Sequence, residues 1–259
     1  MKKILLLTIL LAGCAGQGAI QSGSEVPVSQ QVSTGDARTS AKAHTELGLA
    51  YFNAGLMGVA LEEARMAAAA DPSYAPVYNL YGLIYMNLGE TAQSQANFER
   101  AINLAPGDPE INNNYGLFLC RNGQEKRAIQ HFMSAVKNPL YSTPSGSWLN
   151  AGLCSLQLKD DAAAEDYFTR AINADGRNGQ AIFQLADINY RRGKLYEARR
   201  LVDQLHQQME QPNAASLWLA LRIERKLGDR QSEANFSSQL RRKFANSKEH
   251  QALMQGKFE

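Results

Sequence analysis

Small and aromatic residues return along the chain at a nearly constant interval of 34 positions. The first column consists of small residues, at Gly48, Gly82, Gly116, Gly152, Ala186 and Ala220. The second column is mainly aromatic, at Phe98, Phe132, Phe168, Val202 and Phe236. A third column holds alanines, at Ala67, Ala101, Ala135 and Ala171. One interval in each column is 36 residues, so the chain consists of similar units with a single two-residue insertion.

The unit formed by residues 75–108 shows which elements this pattern predicts. Apolar side chains lie at steps of three and four residues within 78–88, as on one face of an α-helix. Gly89 can adopt the left-handed backbone conformation that ends a helix. A second apolar stripe runs through 92–102, and Pro106 prevents that helix from continuing. Each unit is therefore predicted to form two helices joined by a tight turn.

A 34-residue pair of helices with these columns is typical of tetratricopeptide repeats. The sequence therefore predicts an all-α fold, a right-handed superhelical solenoid of six helix pairs within residues 41–259. We place the pairs at about 41–74, 75–108, 109–144, 145–178, 179–212 and 213–246, followed by a C-terminal cap. The longer interval falls in residues 137–146, where two prolines and a glycine predict a longer loop. Stacked repeats of this kind present an extended concave surface to another protein.

The N-terminus has the features of an export signal. Two lysines precede the apolar run 4–11, which is too short to span a bilayer and is typical of a secretory signal peptide. The following Leu11-Ala12-Gly13-Cys14 resembles the bacterial lipobox, in which the signal is removed and the cysteine is acylated. We therefore predict a signal peptide at residues 1–13 and acyl chains on Cys14, with no other cofactor. An ordinary signal peptide with an incidental cysteine is the alternative.

Residues 14–40 indicate how the repeat domain is held. They are rich in Gln, Ser, Gly and Thr and have few aliphatic side chains, which predicts a flexible lipidated tether. Two or three acyl chains give stable anchoring where a single chain is marginal. Residue 15 is alanine, not the aspartate that retains lipoproteins at the inner membrane in enteric-type sorting. We therefore expect the lipid anchor to lie in the periplasmic leaflet of the outer membrane of a Gram-negative bacterium.

Charge is balanced over the mature chain but unevenly distributed. Loss of the two signal lysines takes 27 basic residues to 25, which equals the 25 acidic residues, so nothing indicates a nucleic-acid partner. Residues 14–176 carry 10 basic and 16 acidic side chains, whereas residues 177–259 carry 15 and 9. The basic pairs of the second part are either a solvated helix face or a surface that docks on an acidic patch of a partner.

The residue types that carry catalysis do not form a recognisable motif. His44, His131, His206 and His250 are far apart and have no partner at metal-ligand spacing. The acidic cluster in residues 160–166 opens a predicted helix, where carboxylates favour the helix dipole. The sequence therefore predicts a binding protein, not an enzyme, with no metal and no small-molecule substrate.

The candidate partner-binding groove follows from the repeat register. In these repeats the first helix of each pair lines the concave face through positions of about 2, 5, 9, 12 and 13. These positions are Asn53, Asn79, Leu83, Asn87, Asn113, Leu117, Arg121, Leu149, Leu153, Phe183 and Tyr190. Each of them could instead complete the core between repeats. Leu49 and Leu83 occupy the slot where a carboxylate clamp would need asparagine, which disfavours that mode of binding.

Cys120 and Cys154 fall in the first helices of adjacent repeats, 34 residues apart. Packed helix axes lie about 8–10 Å apart, and a disulfide needs Cα atoms within about 7 Å, so only inward-facing cysteines could bridge. The two residues are either a disulfide, which the periplasm permits, or two small buried side chains.

The paired cysteines and the Asn-Asn-Tyr-Gly stretch are outside the repeat consensus. They lie in two segments, residues 113–120 (Asn-Asn-Tyr-Gly-Leu-Phe-Leu-Cys) and 150–154 (Asn-Ala-Gly-Leu-Cys), which are linked by Pro-Leu-Tyr at 139–141. They resemble the type IV pilus biogenesis and stability lipoproteins, the PilF/PilW family of secretin pilotins with six tetratricopeptide repeats. The resemblance implies a lipoprotein that binds the type IV pilus secretin, brings it to the outer membrane and supports its multimer. Two alternatives are an adaptor lipoprotein for periplasmic peptidases or peptidoglycan enzymes and a subunit of the machinery that assembles outer-membrane barrels.

Overall fold

The structure, a computed structural model, describes residues 36–258. The predicted signal peptide, Cys14 and most of the predicted tether lie outside these residues. The described part contains thirteen α-helices and no strand. None of its helices combines the length and the apolar character needed to cross a membrane.

The helices follow one another without any other regular element in the described part of the chain. In chain order they are α1 (Ala37–Asn53), α2 (Met57–Ala70), α3 (Ala75–Leu88), α4 (Thr91–Leu104), α5 (Pro109–Arg121), α6 (Glu125–Val136), α7 (Pro144–Gln157), α8 (Asp161–Ala174), α9 (Gly179–Arg191), α10 (Leu195–Gln208), α11 (Ala214–Leu227), α12 (Arg230–Lys243) and α13 (Lys248–Met254).

The first twelve helices form six antiparallel pairs, from α1–α2 to α11–α12. Residues 37–40, which the sequence assigned to the tether, belong instead to α1. The helix begins there because Asp36 caps it, its side chain accepting a hydrogen bond of 2.7 Å from the Thr39 N–H. The other pairs begin within about one residue of the predicted units.

Each pair is closed by a tight turn with one residue in the left-handed region. The φ angles at these six positions range from 59° to 80°, at Gly55, Gly89, Gly123, Lys159, Gly193 and Gly228. Glycine adopts this conformation without a steric cost, whereas Lys159 must accept a close contact of its Cβ. The spacing of these turns, 34 to 36 residues, therefore sets the two-helix unit.

The first helices of the pairs lie on the inner side of the solenoid. Neighbouring odd-numbered helices pack directly against one another in α1–α3, α3–α5, α5–α7 and α9–α11. No two even-numbered helices of residues 36–258 pack as closely. Because helices on the inside of a curve are closer together, the odd-numbered helices line the concave face.

The glycine and phenylalanine columns meet inside the pairs. A Cβ atom added at Gly82 would lie 2.7 Å from the ring of Phe98, and one added at Gly116 would lie 2.7 Å from Phe132. Both phenylalanines are fully buried. In the fifth pair Val202 stands at the position of the phenylalanine. Valine is smaller than phenylalanine, and the first column correspondingly has Ala186 in place of glycine.

The last pair is less buried than the others because no further repeat within residues 36–258 packs on it. Leu240 is the only buried residue of α12, and Phe236 is only partly buried. The short helix α13 packs against both α11 and α12 and forms the predicted C-terminal cap.

A disulfide joins the third and fourth pairs. The Sγ atoms of Cys120 in α5 and Cys154 in α7 are bonded, and the two Cα atoms are 5.9 Å apart. Both residues are buried, so of the two alternatives that the sequence left open the structure has the bridge. The bond crosses the interface that follows the long loop between α6 and α7.

We expect Gly152→Ala to destabilise the protein. The new Cβ would lie 2.7 Å from Cδ1 and 2.9 Å from Cζ of the buried Phe168. Forcing this ring aside costs about 1–3 kcal/mol of unfolding free energy, more than the helix propensity gained. Gly146→Ala, in the same helix with nothing within 4 Å of the added atom, is the control. The free energy of unfolding is measured by urea titration. A value for Gly152→Ala equal to or higher than that of Gly146→Ala would contradict this packing.

Reduction of the Cys120–Cys154 bond is expected to lower the free energy of unfolding by about 3–4 kcal/mol, because the bridge closes a loop with a sequence separation of 34. Urea titrations with and without dithiothreitol measure the difference. The double variant Cys120→Ser/Cys154→Ser should already have the lower stability and should not respond to the reductant. A reductant effect of equal size in that variant would show that the loss comes from elsewhere.

Candidate partner-binding groove

Ten of the eleven predicted groove residues lie on odd-numbered helices with at least partly exposed side chains. They are Asn53 of α1, Asn79, Leu83 and Asn87 of α3, Asn113, Leu117 and Arg121 of α5, Leu149 and Leu153 of α7, and Phe183 of α9. The five apolar members also pack on the core, so they line the groove and stabilise the fold. The concave face therefore offers mixed apolar and amide groups to a partner.

Tyr190 does not belong to the open groove, which corrects the prediction from the sequence. Its side chain is 4% exposed. Lys226 and Arg222 of α11 lie over its ring, at 4.3 Å and 4.7 Å from the centroid. The repeat register gives the position of this residue but not the side chains of the next repeat that cover it.

Asparagine side chains connect three inner helices. The Asn113 Oδ1 of α5 accepts hydrogen bonds from Ser147 Oγ (2.9 Å) and Asn150 Nδ2 (3.0 Å) of α7. On the other side of α5, Asn114 Nδ2 donates to Asn79 Oδ1 of α3 at 3.2 Å. The predicted residues Asn79 and Asn113 are thus held in fixed orientations. The repeat register pointed to these two, but not to the three residues that fix them.

An apolar pocket of about 240 Å³ lies on the inner face between α1, α3 and α5. Its lining is Thr45, Glu46, Leu49, Tyr74, Pro76, Asn79, Leu80, Leu83, Asp108, Glu110 and Ile111. Leu49 is 41% exposed and so remains accessible to a partner. The predicted groove residues Asn79 and Leu83 are brought together here. The volume suits one aliphatic side chain of a partner.

Polar groups fix the shape and the charge of this pocket. Asp108 caps α5, its Oδ1 accepting a hydrogen bond of 2.9 Å from the Ile111 N–H. Burial raises the pKa of Tyr74, so its hydroxyl stays neutral. Together with Glu46 and Glu110, Asp108 gives the apolar pocket an acidic rim. A cationic group of a partner would be attracted to it.

A second apolar pocket of about 320 Å³ lies between α9, α10 and α11. Phe183, a predicted groove residue, forms one wall with Leu205 and Met209. No acidic or basic side chain lines it. The two pockets therefore differ in charge although both are apolar inside.

Some of the basic side chains near the C-terminus contact carboxylates. Arg199 contacts Glu224 at 2.9 Å and Asp229 at 3.1 Å. Burial is the main reason that the pKa of Glu224 is raised. Arg191 pairs with Asp161 and Asp187. Arg191 and Arg199 therefore form internal ion pairs, so they do not belong to a free basic surface.

The acidic cluster and the histidines have structural contacts. Asp160 caps α8, its Oδ1 accepting a hydrogen bond of 3.0 Å from the Ala163 N–H. His44 Nδ1 is 2.8 Å from Glu63 Oε2, and His131 Nδ1 is 2.9 Å from Asn112 Oδ1. Within residues 36–258 no group of three or more His, Cys, Asp or Glu residues could hold a metal ion.

Comparison with known proteins agrees with this architecture. A tetratricopeptide repeat family matches residues 75–108 and 145–178, and a second family of the same description matches 97–130. The type IV pilus assembly protein PilF of Pseudomonas aeruginosa is 29% identical over 248 residues, which cover 96% of this chain and 95% of the relative.

Two solved structures are similar over most of the described residues. The crystal structure of PilW, a type IV pilus biogenesis factor, has a TM-score of 0.74 and 28% identity, covering 83% of this chain and 98% of that protein. The Pseudomonas aeruginosa PilF structure has a TM-score of 0.79 and 28% identity, covering 85% of this chain and 99% of that protein.

Proposed function

We propose that this chain, which is homologous to the type IV pilus biogenesis proteins PilF and PilW, is an outer-membrane lipoprotein pilotin. In this proposal it binds the type IV pilus secretin, brings it to the outer membrane and promotes its multimer. The observation that carries the proposal is the similarity to a pilus assembly protein over 96% of the chain, which includes all six repeats. The role is recognition and transport, without a chemical reaction.

The first step is membrane attachment through Cys14. The residues Leu11-Ala12-Gly13-Cys14 have the lipobox pattern, and two or three acyl chains give stable anchoring. The acidic rim and the apolar pocket belong to the repeat domain, which follows the predicted tether. The anchored chain would therefore expose its concave face to periplasmic proteins.

The second step is recognition by the concave face. The pocket between α1, α3 and α5 accepts one aliphatic side chain, whose burial is worth about 1.5–3 kcal/mol. The rim carboxylates of Glu46, Asp108 and Glu110 favour lysine or arginine beside that side chain. We propose that the recognised secretin segment has an aliphatic residue flanked by basic residues.

We expect Leu49→Glu to reduce copurification of the secretin at least fivefold, because a carboxylate would enter the mouth of the apolar pocket. The matched control is Val59→Glu in α2. Leu49 and Val59 are 41% and 42% exposed, but only Leu49 lines the pocket. The measurement is a pull-down of the detergent-solubilised lipoprotein, with partners quantified by mass spectrometry.

Three results of this pull-down would count against the proposal. Recovery of the secretin by Leu49→Glu at the level of Val59→Glu would remove the pocket from the binding surface. A periplasmic peptidase or peptidoglycan enzyme as the main partner would instead indicate an adaptor. A barrel-assembly subunit as the main partner would assign the chain to that machinery.

We expect Cys14→Ala to give a folded protein that is not attached to the membrane, because the acyl anchor is lost while the repeat domain is unchanged. Secretin multimers should be absent from the outer membrane or remain in the inner membrane. Membrane fractionation and gel analysis of heat-resistant multimers measure this, and Cys120→Ser/Cys154→Ser serves as the control for loss of cysteine. Normal outer-membrane secretin in Cys14→Ala would contradict the piloting role.

A further inference from the structure

The segment that follows α13 returns to the inner helices α9 and α11. The ring of Phe258 stacks on Trp218 of α11, with centroids 5.5 Å apart and planes at 25°. The Arg225 guanidinium lies 3.9 Å above the Phe258 ring. The Tyr190 hydroxyl of α9 donates a hydrogen bond of 3.3 Å to the Phe258 carbonyl oxygen. Phe258 is therefore seated in a site formed by two helices of the concave face.

This site combines two aromatic rings with three cationic side chains. Tyr190 lies beneath Lys226 and Arg222, and Arg222 is also 5.7 Å from the centroid of the Trp218 ring. Aromatic rings offer a stacking surface to another ring. Cations above the rings attract acidic groups next to that ring. We call Tyr190, Trp218, Arg222, Arg225 and Lys226 the aromatic–cationic site.

The positive charge of this site is only partly neutralised by the described residues. Arg222 is 3.6 Å from Asp187, and Arg225 is 2.8 Å from Glu233. No carboxylate oxygen within residues 36–258 lies within 4.0 Å of the Lys226 Nζ. The Arg222 Nε is buried without a hydrogen-bond acceptor in the same part of the chain. The site therefore retains capacity for a negatively charged group.

The seated segment has few other contacts to hold it. Residues 254–257 are exposed, and Gly256 takes a left-handed turn with a φ of 67° between α13 and Phe258. Phe258 itself remains partly exposed. Release of Phe258 would break one stacking contact, one cation–π contact and one long hydrogen bond. It would leave every helix pair of the solenoid intact.

We propose that the aromatic–cationic site is a second peptide-binding site, which takes a partner segment with an aromatic side chain beside acidic residues. The chain's own Phe258 fills the site until that partner displaces it. A tethered segment has an effective concentration on the order of millimolar, so only a partner that binds better than Phe258 can enter. This site is separate from the α1–α3–α5 pocket and does not depend on the secretin as the partner.

The test uses a fluorescently labelled peptide with the sequence of residues 253–259 and measures its binding by anisotropy to the full chain. The wild type should bind it weakly, because its own Phe258 occupies the site. Phe258→Ala should bind it at least tenfold more tightly, since an internal segment seated more than about nine-tenths of the time lowers the apparent affinity by that factor. Met254→Ala, which removes a 65% exposed apolar side chain of α13, is the control and should bind like the wild type.

Further variants test the chemistry of the site in the Phe258→Ala background. Replacing phenylalanine by alanine in the peptide should abolish binding, and replacing its final glutamate by lysine should weaken it at least threefold. Lys226→Gln, an exposed position, should weaken binding of the unaltered peptide by a similar factor. Equal peptide affinities of wild type and Phe258→Ala would overturn the proposal. Binding that is insensitive to the peptide glutamate and to Lys226→Gln would overturn the acidic specificity.

Discussion

The contact between a glycine of the first helix and a phenylalanine of the second sets the geometry of the second, third and fourth helix pairs. Gly82, Gly116 and Gly152 each leave no room for a Cβ atom, because a buried phenylalanine ring fills the space. The two helices of a pair can therefore approach closely, and the pair becomes one rigid unit. Because these three pairs share one shape, they stack regularly and their first helices align on the concave face. The pocket between α1, α3 and α5 depends on that alignment.

Much of the fold was predictable because it is local and repeated. Gly89 ends the first helix of its pair, and similar turn residues return at intervals of about 34 positions. Phe98 follows Gly89 at a distance that most of the other units repeat. Such residues specify a helix pair without knowledge of distant contacts. The departures come from single local choices. Asp36 caps α1 earlier than the composition of the tether suggested. Lys159 adopts the left-handed turn conformation that glycine adopts in the other pairs. Only its place in the repeat, and not its residue type, indicates this turn.

The candidate sites were less predictable because their chemistry crosses repeats. Register placed Asn79 and Asn113 on the concave face, but their hydrogen bonds to Asn114, Ser147 and Asn150 depend on how neighbouring helices are offset. The position of Tyr190 was derived in the same way, although side chains of the following repeat bury it. A repeat pattern gives the position of a residue within its own unit but does not specify which side chains of the adjacent unit contact it. The contact between Tyr190 and Phe258, separated by 68 residues, is outside such a description.

The two sites would give a bound partner a direction. The pocket between α1, α3 and α5 has a rim of carboxylates, whereas the site on α9 and α11 is surrounded by Arg222, Arg225 and Lys226. A segment lying along the concave face in one orientation would place its basic residues at the first site and its acidic residues at the second. The reverse orientation would oppose like charges at both ends, which costs free energy at each. Because Phe258 fills only the second site, a partner could engage the acidic pocket first and then compete locally for the aromatic–cationic site. The uneven charge of the chain would thus select both the polarity and the order of binding.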